Sequence, residues 1–260
     1  MIITARPSRL NHRYSFDDCV RKFKSAGFDG IELCFEDYYF HVRPDYAEDF
    51  FVKHAVAFCA EQNMAIASVG NHLEYVYDDN MYELLKKGIA KTRDYGTDIF
   101  ITASPDHPNR KIFQRDEYWA EYTKRLGVLL DIAADHGVCI AIEPEVNNLI
   151  VSTKDFLNLV DHMGRNNLVC NLDVGHAFLT DPDMFESIRQ LGNLIVHSHV
   201  EGMPRGEHMH LLPGEGDMDL QAVIQAMQGV GFDGALALDI YIQDYEKVMA
   251  DCVKTLRTMI

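Results

Sequence analysis

No apolar run in this chain approaches the roughly 18 residues that a membrane-spanning helix needs, and Met1 to Pro7 is too short and too polar for a secretory leader. These absences lead to the expectation of a cytoplasmic protein with no membrane partner. The six cysteines include no C-x-x-C pair and no zinc-finger spacing, and Cys34, Cys139 and Cys170 lie in apolar runs where a thiol packs as a small hydrophobe. A reducing compartment fits that usage. Cations are scarce too: 24 Lys+Arg against 40 Asp+Glu leave a net charge of −16, which argues against a nucleic-acid partner that would have to be held by a basic surface. No Gly/Ser-rich, Pro-rich or low-complexity tract divides the chain, so residues 1–260 read as one domain. No G-x-G-x-x-G follows the first strand-like run, which argues against an open dinucleotide-binding sheet.

What is present is a regular alternation. Apolar runs begin at Ile2, Gly30, Ala65, Ile99, Val138, Leu168, Leu194 and Ala235, and segments of helical periodicity separate them, among them Phe16 to Ala26, Tyr118 to His136, Thr153 to Met163 and Leu220 to Val230. Gly27, Gly137, Gly164 and Gly231 stand where left-handed C-caps are wanted, and Ser15 and Ser152 where N-caps belong. Eight strand-helix repeats in a chain of 260 residues predict an α/β protein, a single (β/α)₈ TIM barrel.

Four of the later runs end alike, on Glu143, Asp173, His199 and Asp239. Counting back by two from Glu143 gives Ala141 and Cys139, and from Asp239 gives Ala237 and Ala235, whereas Ile140, Ile142, Leu236 and Leu238 alternate with them. The large residues suit the layer between sheet and helices, so the small ones and the carboxylates face the barrel axis. Three carboxylates and an imidazole in one mouth repel unless a cation sits among them. That donor set suits one divalent metal ion, Mn²⁺, Mg²⁺ or Co²⁺.

These motifs carry a resemblance. Ile142-Glu143-Pro144, Leu172-Asp173-Val174-Gly175-His176, His197-Ser198-His199, Pro213-Gly214-Glu215-Gly216-Asp217 and Phe232-Asp233-Gly234 leading into Leu238-Asp239 make the chain similar to the xylose isomerase-like barrels, in particular the sugar and ketose isomerase/epimerase branch. The resemblance implies that Glu143, Asp173, His199 and Asp239 are metal ligands, that Glu143 and Asp239 are also the acid/base pair, and that His176 and Arg205 contact substrate oxygens. Two positions depart from the pattern. The last ligand is usually glutamate, and the epimerases carry a substrate-contacting glutamate where this chain has Leu149.

The expected activity is isomerization or epimerization of a small ketose or sugar, phosphorylated or not, by proton abstraction through a metal-stabilised enediolate. The same site suits a lyase or dehydratase acting on a keto-inositol or glycoside. An apurinic-site nuclease is disfavoured by the charge, and a non-catalytic sugar binder would show affinity without proton exchange. His72, after the third run, is a further candidate for substrate binding, and His107 a weaker one. Glu32 has inward parity and is expected to pair with a buried cation, and His197 to support His199. The tract from Gly206 to Asp217 reads as a turn entering a helix, with Asp217 or Asp219 as its N-cap. Short loops leave room for a homo-oligomer to close the mouth.

Overall fold

The computed structural model describes residues 1–105, 116–241 and 244–260. Eight strands, β1 (Ile2–Ala5), β2 (Gly30–Cys34), β3 (Ala65–Asn71), β4 (Ile99–Ala103), β5 (Cys139–Glu143), β6 (Leu168–Asp173), β7 (Ile195–Val200) and β8 (Ala235–Leu238), pair in parallel and in chain order, and β8 closes on β1. The protein is a (β/α)₈ barrel. Around the strands run α1 (Phe16–Ala26), α2 (Asp49–Glu61), α3 (Asp79–Lys91), α4 (Asp116–Asp135), α5 (Thr153–Met163), α6 (Val174–Thr180), α7 (Met184–Leu191), α8 (Leu220–Gly229) and α9 (Tyr245–Arg257). The periodicity did not signal α6, a two-turn helix that starts directly at the end of β6.

Local signals set the helix ends. The Ser15 hydroxyl accepts from the Asp18 amide, Ser152 and Asp155 form a reciprocal capping box, and Asp219 rather than Asp217 caps α8. Gly27 and Gly164 end α1 and α5 in the left-handed region.

The strand alternation sorts the core into two layers. Ile140, Ile142, Leu172, Leu236 and Leu238 join the large cluster between sheet and helices. Ile101, Ala141 and Val169 form a separate small cluster, with Cys139 packed against it. The axis also carries a set of buried polar side chains, Thr4, Glu32, Ser68, Asn171, His197 and His199. A barrel interior is normally filled by branched apolar side chains, so this one gives up apolar packing to hold a polar column under its mouth.

Helix α3 seats on the barrel through Gly88, where an added Cβ would lie 2.5 Å from Cε2 of Phe35 and 3.0 Å from Cε2 of Phe100. Phe35 is held edge-on by Tyr46 and Phe100, so its ring has little room to move. Gly88→Ala sets a helix-propensity gain of about 0.8–1 kcal/mol against an overpacking cost of about 1–3 kcal/mol. A net loss on the order of 1 kcal/mol is expected in urea unfolding; a gain would mean that α3 can ride outward at no cost.

Candidate active site

The carboxyl ends of β5 to β8 bring the four predicted ligands together. Register pairs Asp173 with His199 and Ala103 with Glu143, and Asp239 follows β8 directly. Nδ1 of His199 lies 3.2 Å from Oε2 of Glu143, 3.9 Å from Oδ2 of Asp173 and 3.8 Å from Oδ2 of Asp239. It is buried and makes no hydrogen bond. Its other nitrogen, Nε2, donates to Oε2 of Glu32 at 2.8 Å, the outer-shell contact that orients a metal-ligating imidazole.

Asp173 serves two functions at once. Oδ1 accepts from the His176 amide at 2.8 Å and so caps α6, which leaves Oδ2 turned toward His199. Glu201, fully buried, accepts the Gly175 amide at 2.7 Å. Burial, and then the charge of Asp173, pushes its carboxyl well up. The motif needs glycine here because a Cβ at Gly175 would lie 2.0 Å from Oε1 of Glu201.

The short side chain of Asp239 meets two arginines that the sequence reading did not single out. Arg6 reaches Oδ2 at 2.8 Å and Arg9 reaches Oδ1 at 2.5 Å. Arg6 also pairs with Glu32 at 3.0 Å, the buried cation expected for that residue. Tyr241 donates to Oδ2 at 3.0 Å. Burial alone would raise the Asp239 carboxyl; Arg6 and then Arg9 outweigh it and hold it well below the usual range. Glu143 and Glu32 are also lowered against burial, chiefly by the charge of His199, which is raised in turn by Glu143 and Glu32. In the metal-free chain a proton on His199 therefore stands where a cation would sit.

The site passes a test of fit for a divalent ion. An unbonded buried imidazole nitrogen faces three carboxylates within 3.9 Å, and the donors are one nitrogen and several oxygens.

Above it opens a cavity of about 450 Å³ lined by Arg6, Arg9, Tyr38, His72, Glu143 and Tyr241, among others, a size suited to a small molecule. His72 lies at its wall, 2.9 Å from Oε1 of Glu36 and 3.3 Å from Oε2 of Glu143. His197 contacts Asn171 Oδ1 at 2.9 Å and Ser68 Oγ at 3.3 Å, and burial lowers it to about 4. Asn171 in turn donates to Glu143 at 2.9 Å, so His197 supports the site at one remove. His176 is buried beside Glu143 and Asp173, at 3.6 and 3.7 Å. Arg205 is placed elsewhere: it is exposed, with its guanidinium over the Phe178 ring at 4.8 Å. Leu149 packs against the core, and the nearby carboxylate that lines the cavity is Glu145. His107 lies outside the described residues.

A family model for xylose isomerase-like TIM barrels matches residues 20–259. The chain belongs to that family. A ketose 3-epimerase of Arthrobacter globiformis is 23% identical over 88% of this chain and 77% of its own length. The 3-dehydroshikimate dehydratase of Bacillus anthracis is 22% identical over 76% and 70%, and the inosose isomerase of Bacillus velezensis 29% over 61% and 59%. The matched stretch spans 50% of one curated relative's length, 29% of another's and 77% of a third's. A xylose isomerase-like barrel of Mycobacterium smegmatis, solved in complex with magnesium, shares the fold with a TM-score of 0.78 at 15% identity, covering 99% of this chain and 96% of that one. Among the described residues no helix is long and apolar enough to cross a membrane.

His72 supplies a test of the site's electrostatics. Burial would lower its pKa, but hydrogen bonds to Glu143 and Glu36 outweigh this and raise it to about 9. A histidine raised on folding contributes stability that is fully present below its unfolded pKa, near 6.5, and is lost as pH rises through the folded value. NMR titration of the metal-free protein should show His72 protonated at pH 8, and Glu36→Gln should lower its midpoint. Titration near 6.5 in the parent protein would mean that the two carboxylates do not hold it.

Proposed function

We propose that this chain is a divalent-metal-dependent isomerase or epimerase of a small ketose or sugar. The observation that carries this reading is the convergence of Glu143, Asp173 and Asp239 on the unbonded Nδ1 of His199 beneath a cavity of about 450 Å³. In this reading Glu143, Asp173, His199 and Asp239 hold the ion, and His72 and His176 bind substrate; the exposed position of Arg205 gives its proposed substrate contact less support. When bound, the ion would supply charge stabilisation to the enediolate that forms from a carbonyl when the neighbouring carbon loses its proton.

The protein's own groups then divide the proton work. Glu143 lines the cavity and takes the substrate's C–H proton. Glu32 holds the His199 ring, and Asn171 holds the Glu143 carboxylate. His72 stands at the wall, 3.3 Å from Glu143, as the group that would meet a substrate oxygen. Aromatic side chains of Tyr38 and Tyr241 border the cavity and limit water around the reacting carbon.

One observation favours a second reading. Both oxygens of Asp239 are occupied by Arg6, Arg9 and Tyr241, which makes it a poor second base. A single base with a nearby imidazolium suits aldose/ketose isomerization, and it equally suits elimination, in which Glu143 removes the α-proton and His72 protonates the departing β-hydroxyl. The 3-dehydroshikimate dehydratase relative keeps that alternative in view.

Incubation with ketoses, keto-inositols and their phosphates in D₂O with Mn²⁺ should show deuterium at one carbon by NMR, and an enone absorbance if elimination is the reaction. Glu143→Gln should remove exchange with the fold intact by circular dichroism, by a factor of about 100 or more if general-base catalysis is the main loss. Asp239→Asn tests the second carboxylate: retained exchange would leave Asp239 as ligand and ion-pair partner only. Unchanged exchange in Glu143→Gln would remove the proposed base.

A further inference from the structure

The loop that follows β2 carries three exposed aromatic residues at the barrel mouth. Glu36 and Val42 pair as antiparallel backbone, the Asp37 amide donates to the His41 carbonyl at 2.9 Å, and the Phe40 amide donates to the Asp37 carbonyl at 2.8 Å. Residues 36–42 are therefore a short hairpin with Tyr38-Tyr39-Phe40 at its tip. The Asp37 carboxylate fastens that tip from within, accepting the Tyr39 amide at 2.8 Å and the His41 amide at 3.0 Å. Tyr38 is 40% exposed, Tyr39 60% and Phe40 63%.

The last residue of a three-residue tip of this kind lies in the left-handed region, a position that glycine fills without strain. Here it is Phe40, at φ 59°. Among the described residues the other non-glycine with positive φ is Asn63, a type that tolerates it. A bulky ring held there is strained, and core packing does not offset the strain, because most of the ring is exposed. What the position does gain is placement. Phe40 and Tyr38 both line the cavity above the carboxylates, whereas Tyr39 between them turns to His12 and His41, with ring centres at 5.5 and 6.0 Å. The cavity thus joins two chemistries: Glu36, His72 and Glu143 supply charge, and Tyr38, Phe40 and Tyr241 supply ring surface.

We propose that Tyr38 and Phe40 form a subsite for a ring attached to the reacting sugar, so that the substrate is a glycoside rather than a free ketose, with Phe40 setting that preference. The proposal rests on the reading of the Glu143 site as the reacting end. A free ketose carries an oxygen on nearly every carbon and offers little to two aromatic side chains. An aryl group, or the C–H face of a second pyranose, gains both from stacking and from the water it displaces. The hairpin is built for this in advance, since backbone pairing and the Asp37 carboxylate already hold the tip and binding need not order it. Phe40 acts on specificity and takes no part in proton transfer.

Binding can be read without turnover, by NMR titration of the protein in Mg²⁺ with methyl β-D-glucoside, phenyl β-D-glucoside and cellobiose. The phenyl compound and cellobiose are expected to bind about 3- to 10-fold more tightly than the methyl compound. An advantage for one of the two alone supports the subsite and says whether it takes an aryl or a sugar ring. Phe40→Gly should remove the advantage, and Phe40→Tyr should keep it. Because glycine relieves the left-handed strain, the urea midpoint of Phe40→Gly should hold or rise; a fall would show that the ring serves the fold and would overturn the proposal. Equal binding of the three probes, binding of none, or an advantage kept in Phe40→Gly overturns it too. So does a dimer in solution that Phe40→Gly dissociates, since a second copy would then cover the rings. Ring-dependent binding with no deuterium exchange on any sugar would instead overturn the isomerase or epimerase reading and leave the subsite standing.

Discussion

The imidazole of His199 is the point on which the buried charge in this barrel balances. One nitrogen is bonded to Glu32 and the other faces Glu143, Asp173 and Asp239. Burying four carboxylates this close together would cost several kcal/mol each if they stood alone. Cations placed among them offset that cost. Arg6 spans Glu32 and Asp239, Arg9 takes the second oxygen of Asp239, and His72 bridges Glu36 and Glu143. Both arginines come from the segment just after β1, whose neighbours are β2 and β8, so they meet carboxylates on the adjacent strands.

That balance explains the interior of the barrel. A fully apolar column could not orient Glu143 or His199, and the chain instead runs hydrogen bonds from Ser68 through His197 and Asn171 to Glu143. Apolar packing is kept for a small cluster at Ile101, Ala141 and Val169 and for the sheet-helix layer. The site is rigid because its supports are themselves buried and bonded. The cavity above it is bordered by Tyr38, Phe40 and Tyr241.

Much of this was legible because strands alternate strictly. Small residues two before Glu143 and Asp239 gave the inward face, and every strand run lies within a few residues of where periodicity put it. The arginines escaped notice for a physical reason. Inward parity identifies short side chains that act where they stand, whereas Arg6 and Arg9 act several ångströms from their own backbone, and nothing in their spacing says where a long flexible side chain ends. His208 and His210 lay in a tract read as a turn, and it does turn, but only tertiary folding brings their Nε2 atoms to His176. Helix α6 was hidden because its N-cap, Asp173, also ends a strand, and its 7 residues are too few to show a period.

The shortened last carboxylate joins the arginines to the rest of the site. An aspartate at position 239 stops one methylene short of where a glutamate would reach, and Arg6, Arg9 and the Tyr241 hydroxyl surround its oxygens at 2.5 to 3.0 Å. A carboxylate so enclosed has little basicity left, because each donor stabilises the charged form that a base must give up. Oδ1, which meets Arg9 alone, keeps a second lone pair for coordination, whereas Oδ2 is taken by both Arg6 and Tyr241. The Tyr241 ring also lies between the Arg9 guanidinium, at 4.1 Å, and the His210 imidazole, at 3.9 Å. Asp239, the two arginines and the histidine loop therefore form one assembly. A substitution that loosened Arg9 would reach the carboxylates around His199 through Asp239, and His210 through Tyr241.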